Sequence, residues 1–298
     1  MNKLEELSNE NKDNYERYLK RMTESIKYST KGLIPVLAQE GKNILDVGCG
    51  SGVLMFAMEK ENSKSKITGI DMNIDAINKL KKLNNHWTLY HADFMKMNSC
   101  KFDTIIFSSI LHEISSYHSD KNKRFTEIPI YEAFQKSNKL LEDDGVIILR
   151  DGILTSLEKQ NKKLRISFKN PSDSIWLYKF QKDFRGFDKL NINKDIIVVG
   201  NNKYVVSECF LKEFLCTYTW GPESYNREIN ERFGILTKME WQRLLRETGF
   251  KIETIIESRE EYEKYLLDRI TIMDGINYYE YPNMTITIKA RKVKKLER

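Results

Sequence analysis

The sequence predicts an α/β fold in which a mostly parallel sheet carries helices on both faces. Short apolar runs alternate with helical patterns through residues 43–149, and this alternation is typical of parallel strands joined by crossover helices. The strand candidates are almost continuously apolar, as strands buried on both faces are. A glycine-rich turn follows the first strand, at the edge where open α/β sheets bind ligands.

Each strand and helix of the core follows from its own pattern. Five apolar runs predict the strands of the first half, at residues 44–47, 66–70, 87–90, 104–107 and 146–149. Apolar residues at helical spacing predict helices at residues 53–58, 74–80 and 130–141. A helix at 238–248 and strands at 250–256 and 284–290 follow later. The last strand alternates in polarity and comes soon after its predecessor, so we predict that it is antiparallel.

Two segments interrupt or precede this core. Residues 152–234 exceed any ordinary crossover and are rich in aromatic and charged residues, which predicts an insertion that binds substrate or forms a lid. Residues 1–40 show apolar residues at near-helical spacing, among them Tyr15, Leu19, Met22, Ile26 and Tyr28. We therefore predict an N-terminal helical cap over 1–40 and a core formed by residues 41–151 and 235–292.

Composition limits the possible partners. The chain has 298 residues, with 49 Lys and Arg against 43 Asp and Glu, and a net charge of +6. This mild charge permits nucleic acid as a partner without requiring it. No apolar run approaches the roughly 18 residues of a membrane helix, so no membrane partner is expected. The charged start lacks a signal-peptide core and the four cysteines lack a paired spacing, which predicts free thiols and a cytoplasmic protein. The oligomeric state stays open.

The turn after the first strand carries the most specific signal. It reads Asp46-Val47-Gly48-Cys49-Gly50-Ser51-Gly52 and opens a helix. Glycines permit positive φ angles and a close ligand approach, and a helix N-terminus offers free N–H groups. The Gly-x-Gly-x-Gly spacing differs from the dinucleotide fingerprint. A carboxylate at Asp46 would repel a pyrophosphate and suits the cationic group of an amino acid.

Two more carboxylates follow strands of the same sheet. Asp71 ends the second strand, about 20 residues past the glycines, where a carboxylate binds the hydroxyls of a ribose. Asp93 follows the third strand, with Phe94 beside it. At that loop we expect Asp93 to accept a hydrogen bond from an exocyclic amine and Phe94 to cover a purine ring.

Together these segments resemble the class I S-adenosylmethionine (SAM)-dependent methyltransferases, which have a Rossmann-like fold. The resemblance covers about residues 30–150 and 236–291. It rests on residues 44–52, 69–71, 92–94 and 102–106, and on the turns at 143–145 and 247–250. It implies a seven-stranded sheet whose last strand is antiparallel, and SAM as the cofactor. The cofactor-binding residues that it implies are Asp46, Gly48, Cys49, Gly50, Gly52, Asp71, Met72, Asp93, Phe94, Ser108 and Ser109.

Catalytic candidates follow the fourth and fifth strands. His112 lies beside the expected methyl group, and a pKa near neutrality suits a general base; it is equally expected to orient a loop or pack on the cofactor. Arg150 and Asp151 close the fifth strand at the same edge. We expect Asp151 to take part in catalysis and Arg150 to contact the substrate, with a local ion pair as the alternative. His112, Glu113, His118 and Asp151 lack a familiar ligand spacing, so no metal is expected.

The insertion supplies three substrate-binding candidates, Tyr218, Trp220 and Arg227, because aromatic rings and guanidinium groups stack on planar molecules. The alternative is that these aromatics fill the insertion's own core. The sequence thus predicts methyl transfer to an O or N atom of a small or mid-sized molecule. RNA or nucleoside methylation is one alternative and an inactive cofactor-binding scaffold is the other. Ser108-Ser109-Ile110-Leu111 stands where DNA amino-methyltransferases usually carry an Asn/Asp-Pro-Pro-aromatic motif.

Overall fold

A computed structural model describes residue 20 and residues 23–27, 29–98, 100–189 and 192–293. Within this part of the chain the strands are β1 (Asn43–Val47), β2 (Lys66–Asp71), β3 (Thr88–His91), β4 (Phe102–Ser108), β5 (Leu141–Gly152), β6 (Lys163–Phe168), β7 (Ile197–Gly200), β8 (Lys203–Ser207), β9 (Phe250–Ser258), β10 (Ile270–Asp274), β11 (Asn277–Tyr278) and β12 (Thr285–Lys292). The α-helices are α1 (Ile34–Leu37), α2 (Val53–Glu61), α3 (Ile74–Leu83), α4 (Leu111–Ser116), α5 (Ile128–Leu140), α6 (Ser174–Asp183), α7 (Glu208–Thr219), α8 (Tyr225–Glu228), α9 (Lys238–Glu247) and α10 (Glu260–Leu266).

The main sheet has seven strands in the order β3-β2-β1-β4-β5-β12-β9. The pairs from β3 to β5 are parallel. Strand β12 is antiparallel to both β5 and β9. The predicted α/β fold with an antiparallel last strand is therefore confirmed. Order reverses between β1 and β4, and α/β folds bind ligands outside the carboxyl ends of the strands at such a point.

Both faces of this sheet are buried, as the apolar strands predicted. Successive residues of a strand point to opposite faces. Leu45, Phe107 and Leu149 pack with α5 and α9 on one face. Ile106 and Ile148 pack with α2 and α3 on the other. The helix predicted at 238–248 begins at a capping box, in which Thr237 and Glu240 bind each other's backbone N–H.

A second sheet of five antiparallel strands stands beside the main one, in the order β11-β10-β6-β8-β7. The sequence placed no strand in residues 152–234. It also assigned all of 235–292 to the core, whereas the structure pairs β10 with β6 of the second sheet. The aromatic residues of the insertion explain its stability, because Phe168, Phe180, Phe210 and Phe214 form a buried cluster in contact with one another.

The second sheet is attached at the carboxyl edge of the main sheet. Strand β5 leads into it at Gly152, and β9 leads into it through α10. The chain returns from β11 to β12, and on that return the Tyr281 hydroxyl donates to the carbonyl oxygens of Leu266, at 3.0 Å, and Ile270. The chain also returns to the main sheet before α9. Four chain crossings and this buried tyrosine thus hold the second sheet over the edge where ligands bind.

The predicted N-terminal helix differs from the structure where residues are described. Lys20, Thr23 and Glu24 are α-helical, residues 25–27 and 30–33 form 3-10 turns, and Ile34–Leu37 is α-helical again. Pro35 removes a backbone donor, and a side chain at Gly32 would lie 2.5 Å from the carbonyl oxygen of Ile26. Tyr15, Leu19, Met22 and Tyr28 lie outside the described residues. The described part of this segment is thus helical in short α and 3-10 stretches, and it is not one continuous helix.

The turn predicted before the fifth strand is part of a longer strand in the structure. The turn predicted at Asp143-Asp144-Gly145 lies inside β5, which begins at Leu141. Asp144 adopts a φ of 62° there, and the register with β4 shifts between Phe102 and Thr104. Four residues of β5, 142–145, stand opposite one residue of β4, so the predicted turn is an irregularity inside the longer strand. No helix among the described residues combines the length and hydropathy that a bilayer crossing requires.

The junction between the two sheets allows a test of stability. A methyl group at Gly152 would overlap the backbone carbonyl of Phe233. We expect Gly152→Ala to lower the free energy of unfolding by about 1–3 kcal/mol, since the backbone must shift. Gly200→Ala is the matched control, because its methyl group would meet nothing nearer than Lys203 at 3.6 Å. Urea unfolding of both variants measures the difference, and equal stabilities would contradict the close packing of this junction.

Candidate functional site

The glycine loop lies at the carboxyl end of β1, as predicted. Gly48, Gly50 and Gly52 have φ angles of 71°, 48° and 73°, in the left-handed region that favours glycine. The amides of Gly48 and Cys49 donate to the Ile70 carbonyl at 2.8 and 3.2 Å. Beside Gly50 a side chain would meet only the Gly48 carbonyl oxygen, at 3.9 Å. The loop is therefore fixed at its base and has open space at its tip.

Asp71 lies against this loop. Its carboxylate accepts hydrogen bonds from the amides of Gly50, at 2.8 Å, and Asn73, at 2.7 Å. Burial raises the pKa of Asp71, while these N–H groups oppose the shift. The Met72 amide also contributes. A carboxylate has about four lone-pair positions, so acceptor capacity remains for a hydroxyl group of a ligand. Met72 beside it is 41% exposed.

Asp46 is buried next to a cation that the sequence analysis missed. Burial raises the pKa of Asp46 to about 7, and the Lys31 ammonium group opposes this rise. Lys31 is itself buried. The residue belongs to the N-terminal turns, and Thr23 of the same segment places its hydroxyl 3.2 Å from that of Ser51. The N-terminal turns thus pack onto the glycine loop.

The other expected cofactor residues differ in orientation. Asp93 caps a 3-10 turn and accepts from the Met95 amide at 2.9 Å. Phe94 is buried edge-to-face against Phe107, with ring centroids 5.2 Å apart, so its ring belongs to the core and does not present a face to a purine. Cys49 is also buried. The Ser108 hydroxyl is buried and has no hydrogen-bond partner among the described residues.

A cavity lies between the carboxyl edge of the main sheet and the second sheet. The space amounts to about 460 Å³, its open mouth included. The main sheet and its loops contribute Ser109, His112, Arg150, Asp151, Gly152 and Thr285. The remaining lining residues are Ser25, Trp220, Glu228, Glu231, Phe233 and Tyr262. Residues predicted separately after β4 and β5, and in the insertion, therefore meet at one site.

His112 is held between two carboxylates. Its Nδ1 donates to Asp151 Oδ1 at 2.7 Å, and its Nε2 lies 3.5 Å from Glu231 Oε2. The ring stacks on Phe233, with centroids 4.7 Å apart. Burial alone would lower the pKa of His112, but Asp151 and Glu231 outweigh it and raise the pKa well above 6.5. The two carboxylates therefore favour the protonated imidazole.

Asp151 also positions the start of α4. Its Oδ2 accepts from the amides of Leu111, at 2.8 Å, and His112, at 3.3 Å. Burial would raise the pKa of Asp151, but the His112 charge and these hydrogen bonds lower it. The carboxylate is therefore ionised, at a helix N-terminus where negative charge is favourable.

The substrate candidates fall into two groups. Trp220 and Arg150 line the cavity, and Arg150 donates to the hydroxyls of Ser109, at 2.9 Å, and Thr30, at 3.3 Å. Arg227 lies behind the cavity, where it pairs with Glu228 at 2.6 Å. Tyr218 is not among the lining residues: it stacks on Phe214 and its hydroxyl binds Asp173. Tyr218 therefore packs in the buried core of the second sheet.

The acidic residues of the insertion were missed by the sequence analysis. Glu228 and Glu231 are both buried in the cavity wall, and Tyr117 donates to Glu231 at 2.9 Å. Ligand atoms of His112, Glu113 and Glu231 lie within 4.8 Å of one another. Arg227 also places its guanidinium 3.7 Å from Glu231. These contacts join the carboxylates, His112 and Arg227 into one network of charges at the cavity wall.

Comparison with known proteins identifies the family. The sequence model of a family described as a methyltransferase domain matches residues 38–249. The chain belongs to the SAM-dependent methyltransferases. Its methyltransferase domain thus includes the glycine loop, the His112–Asp151 pair and most of the second sheet.

Curated relatives of this methyltransferase match only in part. The ubiquinone biosynthesis O-methyltransferase of Glaesserella parasuis is 28% identical over 120 residues, which are 37% of this chain and 44% of the relative. The tRNA U34 carboxymethyltransferase of Campylobacter curvus is 27% identical over 165 residues, 53% of each chain. The matches thus span about half the length of these relatives.

The chain was also compared with solved structures of other proteins. Human N-acetylserotonin methyltransferase in complex with SAM has a TM-score of 0.49 and 12% identity, over 93% of this chain and 55% of that one. The N-methyltransferase NodS of Bradyrhizobium japonicum has a TM-score of 0.44 and 11% identity, over 89% and 94% of the two chains.

The carboxyl edge of the main sheet can be compared with the donors and acceptors that SAM, the cofactor implied by the resemblance, needs. The open space beside Gly50 lets a ligand approach the backbone. The buried Ser108 hydroxyl has no hydrogen-bond partner among the described residues, and Asp71 can still accept a hydrogen bond. The buried Asp46 carboxylate complements a cationic amino group. The residues present at the carboxyl edge therefore fit the cofactor of the family.

The charge of His112 can be measured directly. The chain has 4 histidines, so imidazole resonances are easily resolved by NMR. We expect His112 to titrate well above pH 6.5 and to do so at lower pH in Asp151→Asn, because that variant loses the attracting charge. Since the folded-state pKa is raised, the stability from this pair is complete below pH 6.5 and disappears as pH rises through the raised value. A wild-type His112 that titrates at or below 6.5 would refute the pairing, and exposed His86 serves as the internal control.

Proposed function

We propose that this protein transfers the methyl group of SAM to an O or N atom of a small or mid-sized molecule held in the cavity between the two sheets. The supporting observation is that His112, Asp151 and Glu231 meet in a cavity lined by Ser109, which directly follows β4 beside the glycine loop. The cavity wall combines carboxylates with aromatic rings, a lining that suits a small molecule.

We assign the cofactor to the residues at the ends of β1, β2, β3 and β4. The loop of Gly48–Gly52 would contact the methionine part, Asp71 the ribose hydroxyls and Asp93 the adenine amine. Ser108 and Ser109 would lie near the sulfonium. SAM supplies an electrophilic methyl group on a good leaving group, so positioning of the acceptor provides most of the rate enhancement.

Loss of the Asp71 carboxylate tests this assignment. We expect Asp71→Ala to weaken SAM binding about 10- to 100-fold, since charge-assisted hydrogen bonds contribute about 1.5–3 kcal/mol. Asp75→Ala is the matched control, because Asp75 is an exposed acidic residue in the first turn of α3. Isothermal calorimetry measures both affinities. An affinity for SAM within twofold of wild type in Asp71→Ala would exclude the ribose role.

The cavity residues would bind the acceptor and receive its proton. Glu231 is ionised, because its contacts with His112 and Arg227 lower its pKa against the effect of burial. It can accept the proton that an O–H or N–H group releases. His112 can do so only where the pH exceeds its raised pKa. We therefore assign His112 to orientation and charge balance at neutral pH and Glu231 to proton acceptance.

The acceptor class can be decided with methyl-labelled SAM. We expect label to enter phenols or amines from a small-molecule library and not bulk tRNA, because the cavity is walled by the second sheet. Transfer to tRNA would instead support the RNA alternative, and no transfer to any acceptor despite tight SAM binding would support the inactive scaffold. Free thiols suit a reducing compartment, so the proposal includes a location in the cytoplasm.

Trp220 links the second sheet to this activity. For an acceptor found in that screen, we expect Trp220→Ala to raise KM or lower kcat about tenfold or more, because it removes a wall of the cavity. SAM affinity should change by less than about twofold, since the cofactor residues lie on the other sheet. Tyr218→Phe is the control, because its hydroxyl binds Asp173 outside the cavity. Parallel losses of SAM affinity and turnover would contradict a role in acceptor binding.

A further inference from the structure

The cavity and its immediate surroundings have one carboxyl group more than they have cations. Asp151, Glu228 and Glu231 line the cavity, and Glu113 lies beside them. The cations that face them are His112, Arg150 and Arg227. In a buried site such an imbalance is costly unless a proton or a bound cation compensates it.

Protons compensate it in the protein alone. Burial, reinforced by the charge of Glu231, raises the pKa of Glu113 to about 8; His112 and Arg227 oppose this rise and Asp71 adds to it. Burial likewise raises the pKa of Glu228 to about 7, against the attraction of Arg227 and His112. Between pH 7 and 8 roughly one proton is therefore shared by Glu113 and Glu228.

Three aromatic side chains line the same cavity. Trp220, Phe233 and Tyr262 stand around the carboxylates. The face of an aromatic ring attracts a cation, most strongly where water is excluded. Carboxylates together with aromatic walls favour a ligand that carries one positive charge and an apolar body.

We propose that the methyl acceptor is an amine that binds as a monovalent ammonium ion, with its charged group at Glu228 and Glu231 and its apolar part against Trp220 and Tyr262. This inference rests on the proposed function and narrows it to N-methylation. The ammonium ion takes the place of the shared proton: the carboxyl group that releases this proton becomes ionised, and the cavity stays neutral.

The transfer step balances in atoms and charge. The ammonium group first loses one proton to a carboxylate, Glu228 or Glu231. The nitrogen lone pair then forms a bond to the methyl carbon as the carbon–sulfur bond breaks, and the sulfur keeps that electron pair. The product is a methylated ammonium ion, the demethylated cofactor is neutral at sulfur, and the proton passes from the carboxylate to water.

Binding of three matched probes tests the inference without an unknown acceptor. Phenethylamine, 2-phenylethanol and phenylacetate share one shape and differ in charge. In the presence of the demethylated cofactor and EDTA, we expect phenethylamine to bind at least about tenfold more tightly than either of the others. Calorimetry in two buffers of different ionisation enthalpy should also show release of up to one proton between pH 7 and 8. Equal binding of the three probes, preference for phenylacetate, or no binding of phenethylamine at millimolar concentration would overturn the inference.

Conservative variants test whether Glu228 and Glu231 cause the preference for the ammonium probe. Glu228→Gln and Glu231→Gln should each reduce the ratio of phenethylamine to 2-phenylethanol affinity about tenfold, because each removes a negative charge and keeps the shape. Glu223→Gln, in the loop before α8, is the control and should leave the ratio unchanged. If this affinity ratio is unaltered in both cavity variants, the proposed binding site of the ammonium group is wrong. SAM affinity is measured in the same samples. If the protein binds SAM but does not prefer the ammonium probe, only the amine acceptor is refuted. If the wild type does not bind SAM, the methyltransferase function itself is refuted.

Discussion

The buried carboxylate of Asp151 is the contact on which the site depends. It lies next to the last residue of β5, accepts hydrogen bonds from the first amides of α4 and binds His112 Nδ1 at 2.7 Å. One side chain thereby fixes a strand, a helix and an imidazole relative to one another. The charge of His112 then attracts Glu231 from the insertion, so the second sheet is bound to the main sheet by electrostatics as well as by chain connections. Without Asp151, the unpaired charges of His112 and Glu231 would be expensive to bury.

The position of the second sheet follows from the places where the strands of the main sheet end. Parallel strands end together, and the ends of β5 and β9 and the start of β12 all lie where ligands bind in this fold. A sheet inserted at these points has to cover the cofactor loops or stand beside them. Its aromatic core gives it stability of its own, so that Trp220 and Glu231 project from a rigid support. The N-terminal turns approach from another side, through Thr23 and Lys31.

Sequence patterns predicted the parts of the fold that depend on local order. Apolar runs located the strands of the main sheet, and the glycines located a loop whose φ angles only glycine adopts readily. Tyr218 and Phe94 were harder to place, because an aromatic residue suits a ligand and a core equally well until its neighbours are known. Glu231 could not be found: it lies 119 positions from His112, and a Glu in a charged segment ordinarily faces water. Strands β10 and β6 pair across a similar distance, which no short-range pattern reveals.

Charge explains why the cavity is polar at all. Replacing a buried ion pair by apolar residues is often neutral or stabilising, so the stability of the fold does not require seven ionisable groups around one cavity. Their effect is instead to define what enters. A neutral apolar molecule would strip water from Glu228 and Glu231 without replacing it, and an anion would face the carboxylates directly. A monocation satisfies the surplus carboxyl group, and the protein's own protons occupy that role until it binds. Selectivity for charge is thus built into the same His112–Asp151–Glu231 contacts that join the two sheets.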